Sequence, residues 1–199
     1  MNFEEKYKGI YFANIFGKYD IENLVKEAQI NLDVSKSTTE ELPGTQVWFE
    51  LSGGDLHNIK NDIEKSIMKQ FNNVTNPYTS INWIYTQNKE EDTVYYHNHS
   101  QVKYFFKKDN VKPIWSWVFY IQLPTNCESK LEFSFSDTSA WGSSTLKVCE
   151  YPIEEGNILV FKPEYDHKPD LPKKPDKKRI VFAGTIYNIK GIKNKNNLI

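Results

Sequence analysis

Three of the four histidines in the chain are spaced in a way that suits metal binding. His97 and His99 are two positions apart, so on a β-strand their side chains leave the same face. His167 follows a glycine turn and an apolar run, and Arg179 opens the last predicted strand. Taken singly, His97 and His99 indicate a surface pair, His167 indicates a loop residue, and Arg179 indicates a solvated strand edge. The ordered combination favours one shared metal site, whereas His57 lies off the apolar stripe of its helix and is predicted to be at the surface.

Two helices are predicted in the first part of the chain. The first is capped by Asp20 and has an apolar stripe at i, i+3, i+4 and i+7 that begins at Ile21. The second is capped by Asp55, and the Gly53–Gly54 pair separates it from a strand predicted at 47–51. Its stripe recurs every three to four residues and comprises Leu56, Ile59, Ile63, Ile67 and Phe71.

After Asn76-Pro77 the chain consists of β-rich runs separated by polar, glycine or proline breaks. Helices first and many short strands afterwards predict a mainly β sandwich or barrel supported on one side by N-terminal helices. We expect a single domain over 1–199, with a helical and strand support at 1–80, a barrel core at 81–188 and a basic tail at 189–199. The predicted strands are 81–87, 93–99, 114–123, 131–135, 146–151, 157–162 and 179–187.

Composition excludes several broad classes of protein. A net charge of −1 and 15% aromatic residues argue against a nucleic-acid-binding or wholly disordered chain. The two cysteines, Cys127 and Cys149, have neither a disulfide framework nor a Cys-x-x-Cys metal spacing. No run has the length of a signal peptide or a membrane helix. The expected location is the cytoplasm, or the host cytoplasm if the chain is viral.

The segment 81–188 resembles the 2-oxoglutarate/iron(II) oxygenase superfamily, especially its small prolyl-hydroxylase-like, phage and bacterial members. The run Tyr-His-Asn-His at 96–99 is similar to the strand that carries the first metal motif. The runs at 117–124 and 131–133 match the strands that follow it. The run 155–167 and the run Arg-Ile-Val-Phe-Ala at 179–183 match the distal histidine and the 2-oxoglutarate arginine. The resemblance implies a double-stranded β-helix, which is a cupin-like jelly-roll barrel.

The resemblance also implies a role for each matching residue. His97 and His167 are the expected ligands of iron(II), and the enzyme is expected to use 2-oxoglutarate and O2 to hydroxylate a small-molecule or peptidyl substrate. Arg179 is expected to bind the distal carboxylate of 2-oxoglutarate. Tyr120 is expected to contact the same carboxylate, and Tyr85 is a further hydrogen-bonding candidate.

The sequence departs from the family pattern at two positions. His99 stands where relatives carry Asp or Glu, so the site lacks one negative charge and should bind iron(II) less strongly unless dianionic 2-oxoglutarate compensates. Val181 stands where many relatives carry Ser or Thr, which places more of the carboxylate binding on Tyr120 or on water.

Three hypotheses account for His99. It is a third metal ligand, which we favour because it shares a face with His97 and because Asp166 should face away from His167. Alternatively, it supports the ligands while water or halide completes the sphere, or the motif is shifted so that His99 and Gln101 form the pair.

The sequence leaves two alternative functions open. The chain could be a three-histidine cupin-type metalloprotein that does not use 2-oxoglutarate, or a non-enzymatic jelly-roll structural or binding module.

Two loop segments also have alternative interpretations. The insertion at 100–113 is either a covering excursion or a substrate lid. The proline- and lysine-rich run at 168–178 is either an anionic-substrate contact or, more simply, a solvated connection.

Overall fold

The computed structural model describes residues 1–15, 17–34, 45–48, 53–74, 78–87, 96–100, 111–126, 129–138, 144–169 and 174–189. These residues contain ten strands and two helices. In chain order, the elements are β1 (Glu4–Tyr7), β2 (Ile10–Asn14), α1 (Ile21–Val34), β3 (Thr45–Trp48), α2 (Gly54–Gln70), β4 (Tyr78–Gln87), β5 (Val111–Gln122), β6 (Ser129–Thr138), β7 (Ser144–Ile153), β8 (Asn157–Phe161), β9 (Asp166–Pro169) and β10 (Arg179–Ile189).

The strands form two antiparallel sheets that face each other. The major sheet has the order β1-β2-β8-β5-β10-β4-β3, and the minor sheet has the order β7-β6-β9. Phe133 of the minor sheet contacts Phe161 of the major sheet edge to face, with ring centroids 5.0 Å apart. Because both inner faces are apolar, the two sheets bury a common core, as in other β-sandwiches. The predicted jelly-roll fold class is confirmed.

The two helices cover the outer face of the major sheet. Leu56, Ile59, Ile63 and Ile67 of α2 are completely buried, as the apolar stripe predicts. They pack with Leu24 and Ala28 of α1 and with the outward side chains of β5 and β10. Each such aliphatic side chain contributes about 1.5–3 kcal/mol through burial. The outer face of the major sheet therefore has a packed helical backing. Neither of the described helices is long and apolar enough to cross a membrane.

The N-termini of the two helices are capped in different ways. At α1, Asp20 accepts hydrogen bonds from the amides of Glu22 (3.0 Å) and Asn23 (3.3 Å), as predicted. At α2 the prediction of an Asp55 cap is wrong, because the carboxylate of Glu27 on α1 accepts the amide of Asp55 at 2.9 Å. Gly54 has a φ of 87°, and a Cβ there would overlap the Glu27 carboxylate. The glycine pair therefore allows a neighbouring helix, rather than a local side chain, to cap α2.

Several predicted boundaries need correction. The sequence analysis did not predict β1 and β2, which extend the major sheet through pairing of β2 with β8. Within the described part of the predicted strand at 93–99, the ladder is a single bridge between His97 and His167. His167 itself lies in β9 rather than in a loop. His57 is half-buried rather than fully at the surface. Most of the proposed lid, 101–110, and part of the run at 168–178 lie outside the described residues.

Candidate metal centre and co-substrate pocket

The three histidines meet at the edge of the minor sheet. The amide of His97 donates to the carbonyl of His167 at 3.1 Å, and the amide of His167 donates back at 2.9 Å. The amide of His99 donates to the carbonyl of Pro163 at 2.7 Å. These backbone bonds place one candidate ligand atom from each of the three imidazoles within 4.8 Å of the others. The prediction that His97, His99 and His167 converge on one site agrees with this geometry.

The arrangement fits a metal ion held by imidazoles. The Nε2 atoms of His99 and His167 are 3.3 Å apart. Metal–imidazole bonds are about 2.1 Å long, so two ligands at a right angle lie about 3 Å apart. The candidate ligand nitrogen of His97 lies within 4.8 Å of those of His99 and His167. Asp166, one position before His167, is exposed and bonds to Asn98 instead, as expected of a residue on the opposite face.

Burial keeps His99 and His167 in the neutral form that binds metals. Removal from water, with a further effect of His97, lowers the pKa of His99 to about 3. Burial likewise holds the pKa of His167 well below its usual range, and both His97 and His99 add to the effect. The Nδ1 atom of His167 lies 2.9 Å from the carbonyl oxygen of Tyr165. Because a carbonyl oxygen can only accept, Nδ1 carries the proton and Nε2 presents its lone pair.

Aromatic side chains surround the imidazoles. The Trp83 ring lies 5.2 Å from the His99 ring. The rings of Phe161 and Phe133 lie 4.7 Å and 5.9 Å from the ring of His167. These contacts restrict ring rotation and exclude water from the side of the site that faces the core.

A second polar group lies at the start of β10. Arg179 is only 3% exposed, and its guanidinium carbon is 5.4 Å from the centroid of the Tyr120 ring. Burial raises the pKa of Tyr120 to about 12, although the positive charge of Arg179 acts in the opposite direction. Among the described residues, no group makes a hydrogen bond of ordinary geometry to the Tyr120 hydroxyl. A phenol that keeps its proton and a buried guanidinium therefore lie side by side.

Strand register connects this pair to the histidines. On β4, residues 83, 85 and 87 point to the same inner face. Gln87 is opposite Arg179, and Tyr85 is opposite Val181, which is also opposite Tyr120. From Trp83, which contacts His99, to Gln87 is about 13 Å along the strand, at about 3.3 Å per residue.

The surface between the two ends is lined by small side chains. Val181, Ala183 and Val118 occupy the intervening inner positions of β10 and β5. All three are buried in the same core cluster as Trp83, Tyr85 and Tyr120. The histidine cluster therefore contacts one end of this inner face through Trp83, and Arg179 lies toward its other end, beyond the two tyrosines that flank Val181.

The structure groups His97, His99 and His167 in one cluster and Arg179, Tyr120 and Tyr85 in another, and it adds partners that the sequence analysis missed. Trp83 and Gln87 share the inner face of β4 with Tyr85, so the two-residue alternation of that strand could have identified them. The carbonyl of Tyr165, which fixes the tautomer of His167, has no sequence signal because any residue supplies a carbonyl. Glu155 accepts the amide of Leu123 at 2.9 Å and the ammonium of Lys177 at 2.7 Å. It thus ties the end of β5 to the segment that leads into Arg179.

No protein-family model and no curated protein matches the sequence. Among solved structures, a viral collagen prolyl hydroxylase from Paramecium bursaria Chlorella virus-1, in complex with 2-oxoglutarate, is similar with a TM-score of 0.58 and 13% identity; the match covers 90% of this chain and 96% of that chain. A prolyl-4-hydroxylase from Pseudomonas putida has a TM-score of 0.60 and 15% identity, with 92% and 94% coverage.

A third similar structure is HygX from Streptomyces hygroscopicus with nickel, 2-oxoglutarate and hygromycin B bound. It has a TM-score of 0.59 and 12% identity, and the match covers 92% of this chain and 83% of that chain. A 2OG-Fe(II) oxygenase family structure from Burkholderia pseudomallei also matches, with a TM-score of 0.56. At such low identity the likeness establishes the fold, and this chain has the double-stranded β-helix fold of the 2-oxoglutarate/iron(II) oxygenase structures.

Proposed function

We propose that the protein is an iron(II)- and 2-oxoglutarate-dependent oxygenase that hydroxylates a small-molecule or peptidyl substrate. The observation that carries the proposal is the convergence of three imidazoles beside one end of an inner sheet face that has a buried arginine toward its other end. The likeness to structures with 2-oxoglutarate and a metal bound supports the same function.

His97, His99 and His167 are the residues that would hold the metal. The carbonyl of Tyr165 keeps the proton of His167 on Nδ1, so the Nε2 lone pair is directed at the site. The low pKa of His99 means that no proton has to leave its ring near neutral pH before it binds. When bound, iron(II) supplies the redox chemistry by which O2 and 2-oxoglutarate become succinate and CO2 as an oxygen atom enters the substrate.

Arg179 and the two tyrosines would bind the far carboxylate of 2-oxoglutarate. A guanidinium presents two parallel N–H donors that match a carboxylate, and exclusion of water strengthens the pairing. Tyr120 retains its proton at neutral pH because its pKa is about 12, so its hydroxyl can donate to the same group. Tyr85 would supply a further hydrogen bond from β4. Val181 supplies none, so Tyr120 takes a larger share than in relatives with a hydroxyl at that position.

The charge of the site distinguishes it from the usual arrangement. Two histidines and one carboxylate leave a net charge of +1 on a bound iron(II), whereas three neutral imidazoles leave +2. One carboxylate of 2-oxoglutarate binds at the metal, and the negative charge that it brings meets a higher positive charge in the second arrangement than in the first. We therefore expect 2-oxoglutarate to contribute more to metal retention here than in a site that contains a carboxylate.

A second candidate function is favoured by the same donor set. A three-histidine metalloprotein that does not use 2-oxoglutarate would need His97, His99 and His167 in this arrangement and would leave Arg179 without a role in binding. A non-enzymatic jelly roll would need neither the histidine cluster nor the buried arginine. The position of Arg179 beside Tyr120 favours the oxygenase, because a guanidinium and a phenol that keeps its proton can both donate to one carboxylate.

Metal analysis and calorimetry distinguish the three candidates. The purified protein is loaded with nickel(II), a redox-stable stand-in for iron(II), and titrated with 2-oxoglutarate and, as a control, with succinate. The oxygenase proposal predicts one metal per chain and metal-dependent binding of 2-oxoglutarate that is much tighter than that of succinate. Metal without 2-oxoglutarate binding supports the three-histidine metalloprotein. Absence of both supports the non-enzymatic module.

A further inference from the structure

Polar side chains join the His97–His99 segment to β9 on the face opposite the imidazoles. The bridge between His97 and His167 places Asn98 beside Asp166 and Tyr96 beside Lys168. Asn98 donates from Nδ2 to the Asp166 carboxylate at 2.7 Å. The Tyr96 hydroxyl donates to Glu132 at 2.9 Å, and Lys168 bonds the same carboxylate at 3.1 Å. The metal-binding face and a polar outer face thus belong to the same short segment.

Both ends of the Asn98 amide are used. While Nδ2 donates to Asp166, Oδ1 accepts the hydroxyl of Ser100 at 2.6 Å and its amide at 3.2 Å. This pattern fixes which end of the amide is the donor. The side chain therefore locks the turn after His99 and at the same time attaches the segment to the residue before His167. We call the Asn98–Asp166 pair the clasp.

A clasp of this kind controls strand register, that is, which residues of the segment 96–100 lie opposite which residues of β9. In a strand, a slip of one residue moves every side chain to the other face. Here, a slip would turn His97 and His99 outward and Asn98 toward the metal. A long ladder resists slipping through many backbone bonds, but within 96–100 the described ladder is a single bridge. The backbone bonds described for this segment are the two of that bridge and the one from the His99 amide to the Pro163 carbonyl, and side-chain pairing on the outer face adds register specificity to them.

We propose that Asn98 and Asp166 are positioning residues of the metal centre, which hold His97 and His99 in register with His167. The inference rests on the proposed metal-binding function but not on any co-substrate. Neither residue contacts the ligand nitrogens, so the clasp acts through the position of the backbone. Loss of supporting groups around metal ligands commonly weakens metal binding about 10–100-fold, and we expect the lower end for this partly exposed pair.

The proposal is tested by exchanging the donor and the acceptor of the Asn98–Asp166 hydrogen bond. Asn98→Asp keeps an acceptor for Ser100 but removes the donor and places two carboxylates together, and it should weaken cobalt(II) binding about 10-fold. Asn98→Asp combined with Asp166→Asn restores one donor and one acceptor with the net charge of the wild type, and it should recover wild-type affinity. Glu164→Gln removes a charge from an exposed residue of the same segment and serves as the control. Cobalt(II) affinity is measured by competition with a chelator.

Two further readouts distinguish positioning from general stability. The visible d–d spectrum of the cobalt(II) protein should change in Asn98→Asp and return in the double variant. The free energy of unfolding of the metal-free protein should change little, because the pair is on the surface. If the double variant binds cobalt(II) as weakly as Asn98→Asp, or if Asn98→Asp binds as tightly as wild type, the clasp proposal is wrong. If wild type itself binds no cobalt(II), the proposed metal centre is wrong as well.

Discussion

The Nε2 atoms of His99 and His167 lie 3.3 Å apart, which is the separation of two neighbouring ligands on one metal ion. The proton that His167 donates from Nδ1 to the Tyr165 carbonyl leaves its Nε2 as a pure acceptor. His99 is thus directed at the same point as His167, although the motif of the family that the sequence resembles has a carboxylate at this position.

We expect His99→Ala to lose metal about as severely as His97→Ala, because each removes one of three donors. His99→Asp should keep binding, since it restores the arrangement of two histidines and one carboxylate. Dissociation constants for nickel(II) in the three variants provide the measurement. If His99 only supports the ligands, its loss should cost about 10–100-fold instead of abolishing binding. A His99→Ala protein with wild-type affinity would show that it is not a ligand.

Arg179→Ala should weaken 2-oxoglutarate binding to the metal-loaded protein by about 3 kcal/mol, roughly two orders of magnitude in affinity. The variant removes a charge-assisted pair from a water-excluded position. Arg179→Lys keeps the charge without the planar fork and should fall between Ala and wild type. Metal affinity measured without 2-oxoglutarate should change much less. Unchanged 2-oxoglutarate affinity in Arg179→Ala would favour the three-histidine metalloprotein.

Metal and 2-oxoglutarate should strengthen each other's binding, and more strongly in wild type than in His99→Asp. The reason is the uncompensated charge of a metal held by three neutral rings. Binding linkage is reciprocal, so nickel(II) affinity with and without 2-oxoglutarate must give the same coupling as the converse titration. We expect the coupling to be at least about 10-fold larger in wild type than in His99→Asp, which corresponds to about 1.4 kcal/mol. Equal coupling in both proteins would contradict the charge argument.

The metal-free protein should lose stability as the pH falls below about 6.5. Burial lowers the folded-state pKa of His99 to about 3, and that of His167 is lowered as well. The unfolded chain therefore binds protons that the folded chain does not, so the free energy of unfolding falls with decreasing pH. Each histidine adds a slope of up to about 1.4 kcal/mol per pH unit. Urea unfolding of wild type and His99→Gln between pH 5 and pH 7.5 measures it, and the variant should show the smaller slope.

The sequence predicted the parts of the fold that depend on local pattern. The stripe of α2, the Asp20 cap and the same-face spacing of His97 and His99 follow from periodicities of 3.6 and 2 residues. The cap of α2 by Glu27 depends on how two helices pack, which local pattern does not encode. Strand β2 was missed because both of its faces are covered, so Ile10 and Phe12 on one side and Tyr11 and Ala13 on the other show no alternation.

The metal and co-substrate roles of the site residues remain predictions, and sequence reasoning reached some of these residues and not others. Histidine and arginine are residue types with a recognisable chemical role, so the sequence identified them. Gln87 gains a role only through the register of β4, and the Tyr165 carbonyl only through the turn before His167. The prediction that Asp166 faces away from His167 agrees with its exposed position, but its pairing with Asn98 required the bridge between His97 and His167. The single-domain organisation and the cytoplasmic location remain predictions.

Anaerobic titration of the iron(II) protein with 2-oxoglutarate tests the central claim most directly. Chelation of iron(II) by the 2-oxo acid gives a weak visible charge-transfer band, so the band requires the metal site and the co-substrate pocket together. We predict that wild type develops this band with saturation at one 2-oxoglutarate per iron, that His167→Ala does not, and that Arg179→Ala needs roughly 100-fold more 2-oxoglutarate. An iron-loaded wild-type protein that shows no band at saturating 2-oxoglutarate would contradict the proposed function.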